Sequence, residues 1–153
     1  MALCYNKIMA VKNPFSKSNA LILAPLILVM VLDFAFTLIG QPESYWQDHL
    51  FFNEGSPLGN LLLPVSPIYF ALFFIFYLLF VLFLAVNLKK PLNIMIFTGF
   101  FLGHSLGSAS WVPLLFYRFF QISINSWYLI IGYIVLISII SGFCISRWLK
   151  NKI

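Results

Sequence analysis

The chain has 153 residues, 62% of them hydrophobic and only 8% charged, with a mean hydropathy of +0.99. A soluble domain of this length cannot bury that much apolar surface, so a water-soluble globular fold is excluded. The net charge of +5 does not point to nucleic acid. The basic residues flank apolar runs and form no stripe interleaved with aromatic rings, so they read as topology determinants, with membrane lipid as the expected partner.

Residues 1–19 carry Lys7, Lys12 and Lys17 and read as a short basic cytoplasmic tail. A signal peptide is the rival reading, but the apolar run that follows is longer than an h-region and lacks a small-x-small cleavage site. The first predicted span covers about 20–40. It holds Asp33, with Thr37 and Gly40 on the same face at i, i+4, i+7. Pro25 sits one turn in, where it kinks a span without breaking it.

Residues 41–66 form the long loop, with three of the four acidic residues and no Lys or Arg. Tyr45 and Trp46 suit a headgroup belt. A short helical turn is expected after Pro57, ending before Pro64. The second span, about 67–88, is nearly all aliphatic and phenylalanine, and reads as the helix most exposed to lipid. Lys89-Lys90-Pro91 makes a tight turn. The third span covers about 92–117 and the fourth about 126–146, with Arg147, Lys150 and Lys152 beyond it.

Eight of the nine Lys and Arg residues fall in the N-terminal tail, the 89–90 turn and the C-terminal tail; only Arg118 lies elsewhere. That asymmetry places both termini in the cytoplasm and the acidic loop outside. The expectation is one all-α domain over 1–153: an integral four-helix bundle, up-down-up-down, in the cell inner membrane. Cys4 and Cys144 then lie on or near a reducing side and read as inert thiols.

The polar residues inside the spans carry the functional argument. The first and third spans run the same way, so at ~1.5 Å per residue Asp33 and His104 lie ~20 and ~18 Å from the inner ends of their helices. They share a depth, and a buried ionisable group seeks a partner. The spacing therefore predicts that Asp33 accepts a hydrogen bond from His104 or a serine beside it. His104, Gly107, Ser108 and Trp111 share one helix face at i, i+3, i+4, i+7. Gly99, Gly103, Gly107 and Ser110 read as an adjoining smooth groove for close helix approach. Glu54, or in second place Asp48 or His49, is expected to fold down from the loop, so that Asp33, Glu54 and His104 converge on one outward-opening pocket.

The run Asp33-x-x-x-Thr37, Gly40-Gln41-Pro42, Tyr45-Trp46, Asn53-Glu54-x-Ser56-Pro57, then His104 in a glycine-rich helix, resembles small uncharacterised bacterial four-span membrane proteins of a domain-of-unknown-function type. The resemblance covers most of the first half of the chain and little of the last helix. It implies that Asp33, Thr37, Asn53, Glu54 and Pro57 are shared family positions, and it supplies no reaction.

Several readings of the polar set stay open. Asp33, His49, Glu54 and His104 are candidate ligands for a divalent metal, without a compact motif such as His-Glu-x-x-His. Asp33, Glu54 and His104 are the candidates for acid–base catalysis, with Ser105 or Ser108 as a nucleophile. Thr37, Trp46, Asn53, Ser108 and Trp111 are the candidate ligand-binding residues around them. A polar transport lane is a third reading; in so short a chain it needs a homo-oligomer or a membrane-protein partner. The bland alternative is that these residues only hold the helices together. No particular cofactor is indicated, and one histidine within a span is too few for bis-histidine haem ligation. Arg118 is expected to pair with Glu43, Asp48 or Glu54.

Overall fold

The computed structural model describes residues 17–89 and 91–150, with side chains from residue 20 onward. Lys7, Lys12, Lys90, Lys152 and Cys4 lie outside the described residues. Among the described residues six α-helices form: α1 (Lys17–Ile39), α2 (Glu43–Gln47), α3 (Pro57–Leu62), α4 (Pro67–Asn87), α5 (Leu92–Phe120) and α6 (Ser126–Lys150). There is no strand among the described residues. Four of these helices, α1, α4, α5 and α6, are long and apolar enough to cross a membrane.

Local chemistry sets the helix ends. Ser66 accepts from the Ile68 N–H and precedes Pro67, so α4 starts with a capped turn and a residue that has no N–H to lose. The Asn125 side chain accepts from the Trp127 N–H at the start of α6. At the other end of α5, Gln121 adopts a left-handed conformation at φ 55° and donates its N–H to the Tyr117 carbonyl. Pro25 stays within α1 and is fully buried.

The long helices alternate in direction. α1 and α5 run parallel in a constant register, with Asp33 beside His104 and Gly40 beside Trp111. α4 runs against both: Phe34 stacks on Phe70 and Phe74, with centroids 5.4 and 4.3 Å apart, and Tyr77 meets Phe100 edge-on at 5.8 Å. α6 crosses the opposite side of the α1–α5 pair, where Tyr133 reaches Ser108 and Phe36. α4 and α6 do not approach each other. The bundle is therefore a rhombus whose short diagonal is the α1–α5 contact.

The small buried core follows from this plan. Leu26, Met30 and Val81 form its centre, flanked by Phe74, Tyr77, Phe97, Phe100 and Phe101. Outside it, α4 and α6 expose long rows of Ile, Leu and Phe. Water would not tolerate such faces, whereas hydrocarbon does.

The 40–66 segment is folded onto the end of the bundle. Tyr45 is fully buried and donates its hydroxyl to the Leu63 carbonyl at 3.2 Å. Burial pushes the Tyr45 phenol above its ordinary value, so the hydroxyl remains a donor throughout the neutral range. The short turn after Pro57 forms as expected, while α2 and a 3₁₀ turn at His49–Phe51 add order to the loop.

Candidate functional site

The site begins with one contact across the parallel helix pair. His104 Nδ1 lies 2.7 Å from Asp33 Oδ2, and the two side chains are 18% and 20% exposed. The other ring nitrogen, Nε2, lies 3.0 Å from the Tyr77 hydroxyl on α4. With the carboxylate ionised, Nδ1 carries the proton and donates to Asp33. In the neutral ring Nε2 is then the acceptor for Tyr77 O–H. Three helices thus supply a carboxylate, an imidazole and a phenol in a continuous hydrogen-bonded chain.

Glycine makes the first link. A Cβ added at Gly107 would fall 2.7 Å from Asp33 Oδ1, so only glycine lets the carboxylate lie flat along α5 beside His104. Gly40 does the same for the Trp111 ring one level further along. Gly99 and Gly103 behave differently. Neither has a neighbour within 4 Å of the Cβ position. They do not form a tight helix seam; the missing side chains leave open space.

That space is a cavity of about 490 Å³. Its floor and walls include Asp33, Thr37, His104, Tyr77 and Trp111, with Phe70, Phe73, Phe74 and Phe100 supplying apolar surface. Glu54, Ser56, Pro57 and Leu58 line it from the loop. Its volume falls within the range usual for small-molecule sites. Asp33, Glu54 and His104 all reach this one cavity.

The loop reaches the cavity through a side-chain clamp. Gln41, buried at the end of α1, donates Nε2 to the Asn53 carbonyl at 3.1 Å and accepts the Asn53 N–H on Oε1 at 2.8 Å. A single amide therefore pairs with the Asn53 backbone as a strand neighbour would. Immediately after it, Ser56 caps α3 by accepting from the Gly59 N–H at 3.1 Å, and Glu54 Oε1 accepts from the Ser56 N–H at 2.8 Å. The Glu54 stem lies over Gly59, where any Cβ would collide with it. Glu54 Oε2 is buried and finds no hydrogen-bond partner among the described residues.

Several sequence expectations are corrected by this geometry. Trp46 is 54% exposed and packs edge-on against Tyr45, away from the cavity. Asn53 is exposed and serves through its backbone. Ser108 is buried on the far side of α5, bonding to the His104 carbonyl and accepting from Tyr133 at 2.7 Å. Ser105 bonds to the Phe101 carbonyl one turn back. Serines within helices satisfy themselves on the preceding turn, so neither is presented to His104 as a nucleophile. Ser110, read from the sequence as part of the glycine groove, lines the cavity with Gly99, Gly103 and Gly107 and donates to the Gly107 carbonyl.

His49 is held against the Tyr45 ring at 5.1 Å and does not join Asp33, Glu54 and His104. Among the described residues no three His, Cys, Asp or Glu side chains converge as a metal site would require. Among the described residues Arg118 pairs with no carboxylate. Its guanidinium donates to the carbonyls of Ile39, Gly40 and Gln41, closing the C-terminal end of α1, where carbonyls lack helical partners and the helix dipole is negative.

Two participants escaped the sequence reading: Tyr77 and Tyr133. The signal was present. A tyrosine in mid-span carries a hydroxyl into hydrocarbon and must find an acceptor. Tyr77 sits ten residues into an otherwise apolar run.

No protein-family model matches the chain, and comparisons with curated proteins and with solved structures return no match.

Proposed function

We propose that this is a multi-pass protein of the cell inner membrane whose cavity is an outward-facing small-ligand site with an acid–base centre. Asp33 orients His104, Nε2 of His104 exchanges a proton with Tyr77 or with a ligand group, and Glu54 guards the loop side. Thr37 and Trp111 complete the ligand surface. The observation that carries the reading is the Asp33–His104–Tyr77 chain on the wall of the cavity. A polar chain kept at such depth is costly in hydrocarbon and is ordinarily retained for work on a ligand or a proton. Both termini face the cytoplasm in this reading, on the strength of the Lys and Arg distribution.

Native mass spectrometry of the purified protein tests the ligand site. The wild type should release a bound small molecule that Asp33→Asn, His104→Ala and Tyr77→Phe hold less well, with each variant folded and expressed. Identical ligand inventories and identical cell phenotypes across the set would overturn it. Topology is tested separately. In a background with Cys4 and Cys144 replaced by Ser, Gln47→Cys should react with an impermeant maleimide added outside intact cells, and Lys150→Cys should not.

A structural role is the second reading. It is favoured by the way Gly107 lets Asp33 seat against α5 and by the Ser108–Tyr133 bond on the opposite face. Under it the same substitutions lower abundance in proportion to stability and change nothing else.

A further inference from the structure

Resting on the ligand-site reading, we infer that the ligand is an organic cation: a protonated amine on an apolar body. The charges facing the cavity are those of Asp33 and Glu54, and no Lys or Arg lines it among the described residues. The imidazole of His104 is engaged on both nitrogens, by Asp33 and by Tyr77. An anionic ligand would meet two carboxylates with no free counter-charge. A wholly apolar ligand would leave without a donor the Asp33 oxygen, Oδ1, that His104 does not engage, on a side chain 20% exposed at the cavity wall. An ammonium group supplies the missing donor and a charge-assisted bond at that oxygen. The aromatic walls complete the match, because ring faces attract cations and accept an apolar body. The same ammonium chemistry belongs to free amines and to the headgroup of an ethanolamine lipid.

The test titrates the full-length protein in a neutral maltoside micelle with 2-phenylethylammonium, 2-phenylethanol and 3-phenylpropanoate, read by calorimetry. The ammonium should bind on the order of tenfold more tightly than either of the others. Glu54→Gln keeps the Oε1 acceptor for the Ser56 N–H and removes the charge from the loop side of the cavity. It should weaken ammonium binding about fivefold, as expected when a nearby carboxylate charge that does not touch the ammonium is removed. Gly103→Leu, placed where space is open, should abolish binding of every probe without touching a polar group.

Equal binding of the alcohol or the carboxylate, or an unchanged affinity in Glu54→Gln, overturns the amine assignment. If the alcohol binds as well as the ammonium and Gly103→Leu blocks both, the ligand site stands and only the cation falls. If no probe binds the wild type, the amine assignment is overturned, and the ligand inventory then decides the site itself. Added phosphatidylethanolamine that competes with the ammonium, where phosphatidylglycerol does not, supports the inference with a lipid headgroup as the source. Ammonium binding that neither lipid alters supports it with a free amine as the source.

Discussion

The carboxylate of Asp33 and the imidazole of His104 meet where α1 and α5 pack, and each is useful only through the other. A double-mutant cycle of Asp33→Asn and His104→Ala should show a coupling of about 1–2 kcal/mol, at the upper end for hydrogen bonds between membrane helices. Mixed-micelle unfolding measures it, and additive single effects would mean that the contact contributes nothing. Tyr77→Phe should cost about 1 kcal/mol, because it removes the donor to Nε2 and leaves that acceptor to the cavity. The glycines separate by the same reasoning. Gly107→Ala forces a methyl into the Asp33 carboxylate and should cost about 1–3 kcal/mol. Gly103→Ala meets open space and should be neutral or stabilising by up to about 1 kcal/mol. Equal thermal shifts for the two variants would show that α5 does not lie against α1 in this register.

At the level of elements, two polar side chains tie the loop and α5 to the end of α1. Gln41 holds the Asn53 backbone, and Arg118 covers the last carbonyls of the helix. Arg118→Ala should lower stability by about 1 kcal/mol and increase hydrogen exchange at residues 39–41. Lysine should restore only part of this, since one ammonium cannot span three carbonyls as a planar guanidinium does. Protection unchanged in Arg118→Ala would show that the cap is decorative. The Glu54 corner depends on Gly59 in the same way: the stem of one residue occupies the side-chain space of the other. Across Asn53–Gly59, Ser56 caps α3, Glu54 accepts from the Ser56 N–H, and Gly59 leaves room for the Glu54 stem.

The whole molecule is a rhombus with a cavity on one side of its short diagonal and a polar seam, Ser108 to Tyr133, on the other. Because α4 and α6 stand apart, each covers only one flank of the α1–α5 pair. Filling the cavity therefore leaves the α6 side untouched, and the Gly103→Leu variant is expected to remain folded with its unfolding midpoint unchanged or raised. A large fall in that midpoint would mean that the space is closed by side-chain motion in the folded state.

Much of this was legible before any coordinates. Span lengths follow from hydrocarbon thickness, and rise per residue put Asp33 and His104 at one depth, because depth along a helix is a local property of sequence. The four long helices and the level pairing of Asp33 with His104 were readable on that basis. Azimuth was not. A helix that is apolar all round carries no amphipathic stripe to say which face meets which neighbour. For that reason Ser108 was assigned to the cavity and belongs to the opposite seam, and Tyr77 was passed over among phenylalanines. Gly99 and Gly103 were read as packing surface and turned out to line empty space. Arg118 was matched to carboxylates by charge, although backbone carbonyls lay nearer. Composition and span length settled the solvent in which this chain folds; the rotation of each helix about its axis, which long-range packing alone sets, settled which polar groups share a cavity.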